Sequence, residues 1–553
     1  MHGAVLPSLG EDQSSRMGIR RRRSGDSAFP SSSLASRSST GPWTLSAILI
    51  ILALAAGLRL ANLGHASFTH TEAWRANTTY QGSASEARRF PPLQFLLGRA
   101  IQRIIGRNEV PLRLPYAIGG ILCVLGVYVL CARHVGKTEG LVAAALAMSH
   151  PVLVYYSRRQ LEYSLEACAS VWILWAALEV HRDPSIRRWL VFAGIGVLGL
   201  ALTFTASLCL AACLLVLLSA RLVSRNQEPM FSLAGVTSLL TVVGLGWYIW
   251  LAGVPDRETL IRYYDTVEVV WPTDGSPAPL AQWLIASTYG AMHFALGMSD
   301  TWAPLNWFLG TLFVLGLGAG IAPLWQQGRP FFWLLMVLAV ATIAAGALRL
   351  WPFGNIRHAT FLIPLVLIAV GCGLTRLIAR LGTSLASILI VFACLVVPTV
   401  RAAKATVVAP TADEHIRPVF EYVLDRRQPG DAMFLYYFAE DAFRFYWRDT
   451  KMPVLVEPDS DRGDPSAFAN RFHQWIADHR RVWFVFAHNW KSEHDQWLGR
   501  LLAKYQLLDA IELRDASAHL FVWESAGHGS GGTKSPDITH ARIEPHFGPD
   551  ACP

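Results

Sequence analysis

Charge is scarce in this chain: Asp, Glu, Lys and Arg make up only 16% of its 553 residues, where a soluble globule carries about a quarter. That scarcity, with 52% apolar residues, excludes an ordinary soluble enzyme and a disordered scaffold and points to a polytopic membrane protein with a soluble part. Cysteine is sparse as well. Cys123, Cys131, Cys168, Cys209, Cys213, Cys372 and Cys394 lie inside apolar runs and Cys552 lies in the tail, so neither a disulfide framework nor a zinc spacing is present. A Gly-rich phosphate loop is also missing, which leaves nucleotide binding unsupported. Acidic residues fall short of basic ones, 40 against 48. In a membrane protein such an excess belongs to cytoplasmic loops rather than to nucleic-acid binding, so no nucleic-acid partner is expected.

Long apolar runs are what the chain does have. Residues 1–43 form a Ser/Gly/Arg-rich tail containing Arg20, Arg21, Arg22 and Arg23, too polar to bury a core and basic enough to be cytoplasmic. The run from Trp43 to Leu63 has no clear cleavage site and reads as an uncleaved first span. Further runs near 112–132, 139–157, 163–181, 189–203, 206–222, 231–252, 304–325, 331–349, 358–375 and 384–400 bring the expectation to eleven spans, within a range that extends to 13. Strict alternation of eleven spans cannot keep all the basic loops inside, which requires one run to be re-entrant, split or missed. Two long segments, 64–111 and 253–303, are placed outside, and 93–106, opened by Pro91-Pro92, reads as an amphipathic interfacial helix.

The pattern changes after residue 400. Helix-like stretches at 413–427, 440–447, 466–478 and 491–504 alternate with strand-like runs at 432–438, 452–456, 481–487, 508–513 and 519–523, which predicts a small extracytoplasmic α/β domain over 401–524. Residues 525–553 are Gly/Ser/His/Pro-rich and read as a disordered tail.

Basic residues near outer span ends need a reason. Arg88, Arg89, Arg158, Arg159 and Arg357, with His358, are the candidates to hold an anion at membrane level, because a guanidinium binds phosphate bidentately and stays charged near lipid. Headgroup contact or a local carboxylate partner is the plainer alternative. Their complement is acidic: Glu72 after the first span and Glu162 at the start of a later one are carboxylates whose pKa the interface can tune, hence candidate bases. Tyr263, Tyr264 and Trp271 in the second long loop could stack on a sugar or cover an acceptor, or simply belong to the interfacial aromatic belt. No tight His/Asp cluster stands out, so no metal is assigned.

Five segments in order carry a family resemblance: Ser67-Phe68-Thr69-His70-Thr71-Glu72-Ala73-Trp74, Arg89-Phe90-Pro91-Pro92-Leu93, Val110-Pro111-Leu112-Arg113-Leu114-Pro115, Tyr155-Tyr156-Ser157-Arg158 and Trp351-Pro352-Phe353-Gly354-Asn355-Ile356-Arg357-His358. Over residues 44–400 the chain resembles the GT-C glycosyltransferases, in the bacterial branch related to protein O-mannosyltransferases and lipid A aminoarabinose transferases. The resemblance implies a GT-C-like fold and transfer of a sugar from a polyprenyl-phosphate donor to a protein, lipid or polysaccharide acceptor on the outer face of the plasma membrane. It also implies an Asp-Glu pair in the first outer loop, of which this chain keeps Glu72 and has Thr71 at the Asp position. A second family acidic residue maps onto Glu162, and His70 and Thr71 become candidate acceptor or sugar contacts. Two readings follow. In the first, Glu72 or Glu162 activates an acceptor hydroxyl for a single inverting displacement, while arginines stabilise the departing phosphate. In the second, the protein has lost catalysis and binds a lipid carrier or assists cell-envelope glycan assembly. A transporter is disfavoured, because ionisable residues gather at span ends rather than at mid-membrane.

Overall fold

The computed structural model describes residues 42–224, 303–347, 356–382, 384–410, 413–447, 451–457, 465–488, 493–523 and 542–543, with isolated positions at 237, 240 and 244. The chain divides into Met1–Leu45 and Ser46–Pro553, and the second unit holds everything described below except the first residues of α1. The expected span at 231–252 lies outside the described residues but for those three positions.

In chain order the helices are α1 (Pro42–Leu60), α2 (His70–Gln81), α3 (Ala84–Ala87), α4 (Pro92–Ile104), α5 (Glu109–His134), α6 (Lys137–Ser149), α7 (Pro151–Ser157), α8 (Tyr163–Arg182), α9 (Ile186–Leu202), α10 (Ala206–Ser224), α11 (Ala303–Gln327), α12 (Arg329–Ala347), a 3-10 turn Ile356–Leu362 and α13 (Ile363–Leu381). A final apolar helix, α14 (Leu385–Val408), includes π turns at Phe392–Val396 and Lys404–Val408. Among the described residues, six helices are long and apolar enough to cross a membrane, and the bent pair α6–α7 makes a seventh. The expected 189–203 run forms the 17-residue α9, short for a span. Large apolar side chains such as Leu49, Ile50, Leu54, Leu190, Val340, Leu385 and Ile388 lie exposed on these helices, which only a lipid environment tolerates on this scale.

The expected 139–157 run is not one straight helix. It turns by 59° between α6 and α7 at His150-Pro151. Proline removes the N–H that would continue the ladder. The fully buried Arg59 of α1 donates instead to the carbonyls of Ala147 (3.2 Å) and Met148 (3.0 Å). Helices α11 and α13 approach closely enough that a Cβ on Gly373 would stand 1.8 Å from the Gly316 carbonyl, and one on Gly320 would stand 1.9 Å from that of Ala369. Small residues four apart allow this contact, which in lipid rests on packing.

Segment 64–111 is built of short helices rather than loop. Helix α4 covers the expected amphipathic stretch and buries Gln94, Phe95, Gly98 and Gln102, while Leu96 and Ile104 stay exposed. Beyond α14, helices α15 (Ile416–Arg426), α16 (Glu440–Tyr446), α17 (Pro465–His479) and α18 (Glu493–Leu502) surround strands β1 (Ala432–Leu435), β2 (Val454–Val456), β3 (Arg481–Ala487), β4 (Gln506–Leu513), β5 (Ala516–Val522) and β6 (Arg542–Ile543). The sheet order is β2-β1-β3-β5-β4-β6, with β2, β1 and β3 parallel and β3, β5 and β4 antiparallel. Strands β1 and β3 are buried on both faces, which is why they read as unbroken apolar runs. One face packs Phe434 and Phe484 against Phe468, Phe472 and Trp497. The other packs Met433, Leu435 and Trp483 with Phe420 and Phe445, and this core continues into Phe68, Ala73, Ala76 and Leu112. The α/β domain and the helices of residues 64–112 therefore share one hydrophobic core.

Candidate active site

Helix α2 begins with a capping box in which the Glu72 backbone N–H donates to Thr69 Oγ1 (3.4 Å) and the Thr69 N–H donates to Glu72 Oε2 (3.2 Å). The Glu72 carboxylate is fully buried. Its Oε1 accepts from Arg113 Nε (2.9 Å) and the Gln160 N–H (2.8 Å), and its Oε2 accepts from Arg113 Nη2 (2.8 Å) and Arg159 Nη1 (3.2 Å). With the Thr69 N–H and its hydroxyl (3.5 Å) that makes six donors on a group with about four lone-pair positions. Burial alone would raise this carboxyl's pKa, but the charges of Arg113 and Arg159 outweigh it together with their hydrogen bonds and hold it down to about 2.

Arg159 also reaches Asp413, which accepts from the Tyr155 hydroxyl as well. Arg158 caps the C-terminal end of α1 by donating to the carbonyls of Leu58 (3.2 Å), Arg59 (3.3 Å) and Ala61 (2.6 Å). Arg158 and Arg159, two of the five arginines expected to hold phosphate, are thus engaged with protein groups. Arg88 is half-buried and Arg89 exposed, just after α3.

A second ionisable group lies one turn along α2. Arg75 is 8% exposed and pairs with Glu162, which keeps 13% exposure at the N-terminal end of α8. Arg75 Nη1 also donates to Gln94 Oε1 (3.3 Å), and the Tyr116 hydroxyl donates to the same oxygen at 3.4 Å. One helical turn beyond Glu162, Glu166 is buried, with Oε2 lacking a hydrogen-bond partner among the described residues. The His358 ring meets Tyr163 edge-on at 5.7 Å, and Ser170 donates to the Phe361 carbonyl (2.8 Å), which seats the Arg357–His358 turn on α8. Glu162, Arg75, Tyr163 and His358 therefore come together at the N-terminal end of α8, with Arg357 next in the chain. Arg75, Arg113 and Glu166 were missed in the sequence. Arg75 stands three residues after Glu72, and Arg113 lies inside a segment that carries the family resemblance, so spacing offered a signal for both.

The other face of α2 lines a polar cavity of about 670 Å³ with Trp74, Asn77, Glu86, Arg107, Asp441 and Arg444 on its walls. Thr71 is exposed and His70 half-buried at the start of α2. Tyr263, Tyr264 and Trp271 lie outside the described residues.

Residues 89–249 match the dolichyl-phosphate-mannose-protein mannosyltransferase family model. No curated protein sequence matches the chain. Among solved structures, ArnT from Cupriavidus metallidurans bound to undecaprenyl phosphate is similar at 13% identity and a TM-score of 0.52, over 87% of this chain and 98% of that one. Its apo form gives the same score over 86% and 97%. The arabinofuranosyltransferase AftD from Mycobacteria is similar at 12% identity and a TM-score of 0.50, and 88% of this chain spans only 40% of that longer protein. At such identities the likeness is one of fold. The chain is a polytopic membrane protein that shares the fold of ArnT.

Proposed function

We propose that this protein transfers a sugar, with inversion, from a polyprenyl-phosphate donor to an acceptor on the outer face of a bacterial plasma membrane, with its N-terminus cytoplasmic and its C-terminal domain extracytoplasmic. The observation that carries the reading is the Arg75–Glu162 pair at the outer end of α8, in a chain whose fold follows ArnT over nearly its whole length. Glu162 is the acceptor base. It retains a path to solvent that Glu72 lacks, and its ion pair with Arg75 orients it. Glu72 serves as a positioning residue: its carboxylate is saturated by donors and fixes α2 against Arg113 and Arg159.

In the transfer, the acceptor oxygen attacks the anomeric carbon as its proton passes to Glu162, and the C–O bond to the phosphate breaks with its electron pair leaving on that phosphate. Positive charge grows on the sugar and negative charge on the leaving group, so cationic side chains in a water-poor site lower the barrier. Arg357 and His358 are the groups beside α8 that can receive that phosphate, and Arg88 and Arg89 are the basic pair in the outer segment.

Transfer of radiolabelled sugar from synthetic polyprenyl-phosphate donors by the purified protein, with membrane extract as acceptor, tests the reading. Wild-type transfer that Glu162→Gln abolishes with donor binding intact supports it, and donor binding without transfer refutes it. That second outcome belongs to a carrier-binding protein without catalysis, a reading that Thr71 at the family's Asp position favours. It makes a distinct forecast: Thr71→Asp creates transfer where the wild type shows none.

A further inference from the structure

Where the C-terminal domain meets α2, three side chains converge from distant parts of the chain. Glu414 follows the last apolar helix, His488 ends β3 and Asp515 forms the β4–β5 turn, and one donor atom from each lies within 4.8 Å of the other two. Glu414 is buried, and its Oε1 is 2.8 Å from His488 Nδ1. Both His488 (φ 62°) and Asp515 (φ 52°) hold left-handed backbone, and the His488 N–H donates to the Asp515 carbonyl at 3.0 Å, which ties two of the three donors to one rigid piece of backbone. A second imidazole stands beside them. The His70 ring is 6.2 Å from that of His488, and its Nδ1 is shut off from solvent without a hydrogen-bond partner among the described residues.

We propose that Glu414, His488 and Asp515 bind a divalent transition-metal cation, zinc by the chemistry of the set. One imidazole and two carboxylates suit Zn²⁺, with a fourth position left for water. Two ligands each about 2.1 Å from a tetrahedral ion stand roughly 3.4 Å apart, so the Glu414–His488 contact opens by roughly 0.6 Å to admit it, a side-chain adjustment. The ion braces more than the α/β domain. The other Glu414 oxygen, Oε2, accepts the His70 backbone N–H at the first residue of α2, so a cation here clamps the domain to the helix that carries Glu72 and Arg75. The site stands independently of the proposed sugar transfer.

The test uses the full-length protein in detergent, stripped with chelator and titrated with Zn²⁺ by calorimetry, with bound metal counted by mass spectrometry. The comparison is with His488→Asn/Asp515→Asn, since asparagine tolerates left-handed backbone better than most residues. Wild type binds one more equivalent than this variant, or binds that equivalent about a hundredfold more tightly, and only in wild type does the ion raise the unfolding temperature. The tail histidines His528, His540 and His546 are a second sink for the ion, so a variant with all three changed to Gln is compared as well and keeps the ion. Equal Zn²⁺ binding by wild type and the double Asn variant overturns the proposal, and so does loss of the ion from the tail variant.

Discussion

Replacing Glu72 by Gln separates a positioning role from a catalytic one. The substitution preserves shape but removes the charge that faces Arg113, which is 1% exposed, and Arg159, which is 5% exposed. Breaking a buried pair by removing one partner costs about 3–5 kcal/mol, because the remaining charge is left without compensation. The depressed pKa leads to a similar figure: a fall from 4.5 to about 2 corresponds to about 3 kcal/mol of folding free energy. Against a total stability of about 5–15 kcal/mol, the variant loses a large share. The assay is the thermal unfolding midpoint followed by tryptophan emission in detergent, read beside donor binding. Glu72→Gln should unfold at distinctly lower temperature, and Glu72→Gln/Arg113→Met should recover part of the loss because no orphaned charge then remains at Arg113. A Glu72→Gln protein with wild-type unfolding, intact donor binding and no transfer would refute the reasoning, since the carboxylate would then act on substrate.

The same pair sets an acid limit. Because the folded-state pKa of Glu72 lies below its unfolded value, its stabilisation is complete above about pH 4.5 and is lost as pH falls through about 2, so midpoints measured from pH 6 to pH 2 should fall more steeply for wild type than for Glu72→Gln. In the C-terminal domain, burial pushes the His519 imidazole down to about 3, with His494 adding to the shift. The unfolded chain therefore binds a proton that the folded one refuses as pH drops below about 6.5, and His519→Phe should flatten acid unfolding between there and about 3. Docking of the domain is open to proteolysis: Arg417 holds Glu109 and the His65 carbonyl (2.6 and 3.0 Å), and the Tyr446 hydroxyl donates to Glu109 at 2.9 Å. Arg417→Ala should cost about 1–3 kcal/mol and speed cleavage between residues 400 and 416, and unchanged cleavage would show that the shared apolar core alone holds the domain.

Much of the architecture was legible because the bilayer imposes simple demands. Apolar runs marked α1, α5, α8, α12, α13 and α14, whereas the bend at Pro151 went unread within the expected 139–157 run. The expected β3, 481–487, coincides with the observed strand because it is apolar from Val482 to Ala487, whereas β5 begins at Ala516, earlier than the expected 519, since its first residues Ala516, Ser517 and Ala518 carry little β signal. The site was harder to read. Glu72 and Glu162 stood out as carboxylates at span ends, but nothing local shows which is saturated. Arg113 lies 41 residues from Glu72, and Arg159 and Gln160 lie 87 and 88 away, so the difference exists only after folding. The same holds for Glu414, His488 and Asp515, whose spacing resembles no metal motif and which meet only because β3 and the β4–β5 turn end at the same edge.

The central claim is that Glu162, oriented by Arg75, takes the acceptor proton. Its most direct test is single-turnover transfer from a radiolabelled polyprenyl-phosphate sugar by wild type and Glu162→Gln, both verified for donor binding and unfolding midpoint. The account predicts a loss of at least about a hundredfold in the variant with donor affinity and midpoint unchanged. Wild-type rates in Glu162→Gln would contradict it.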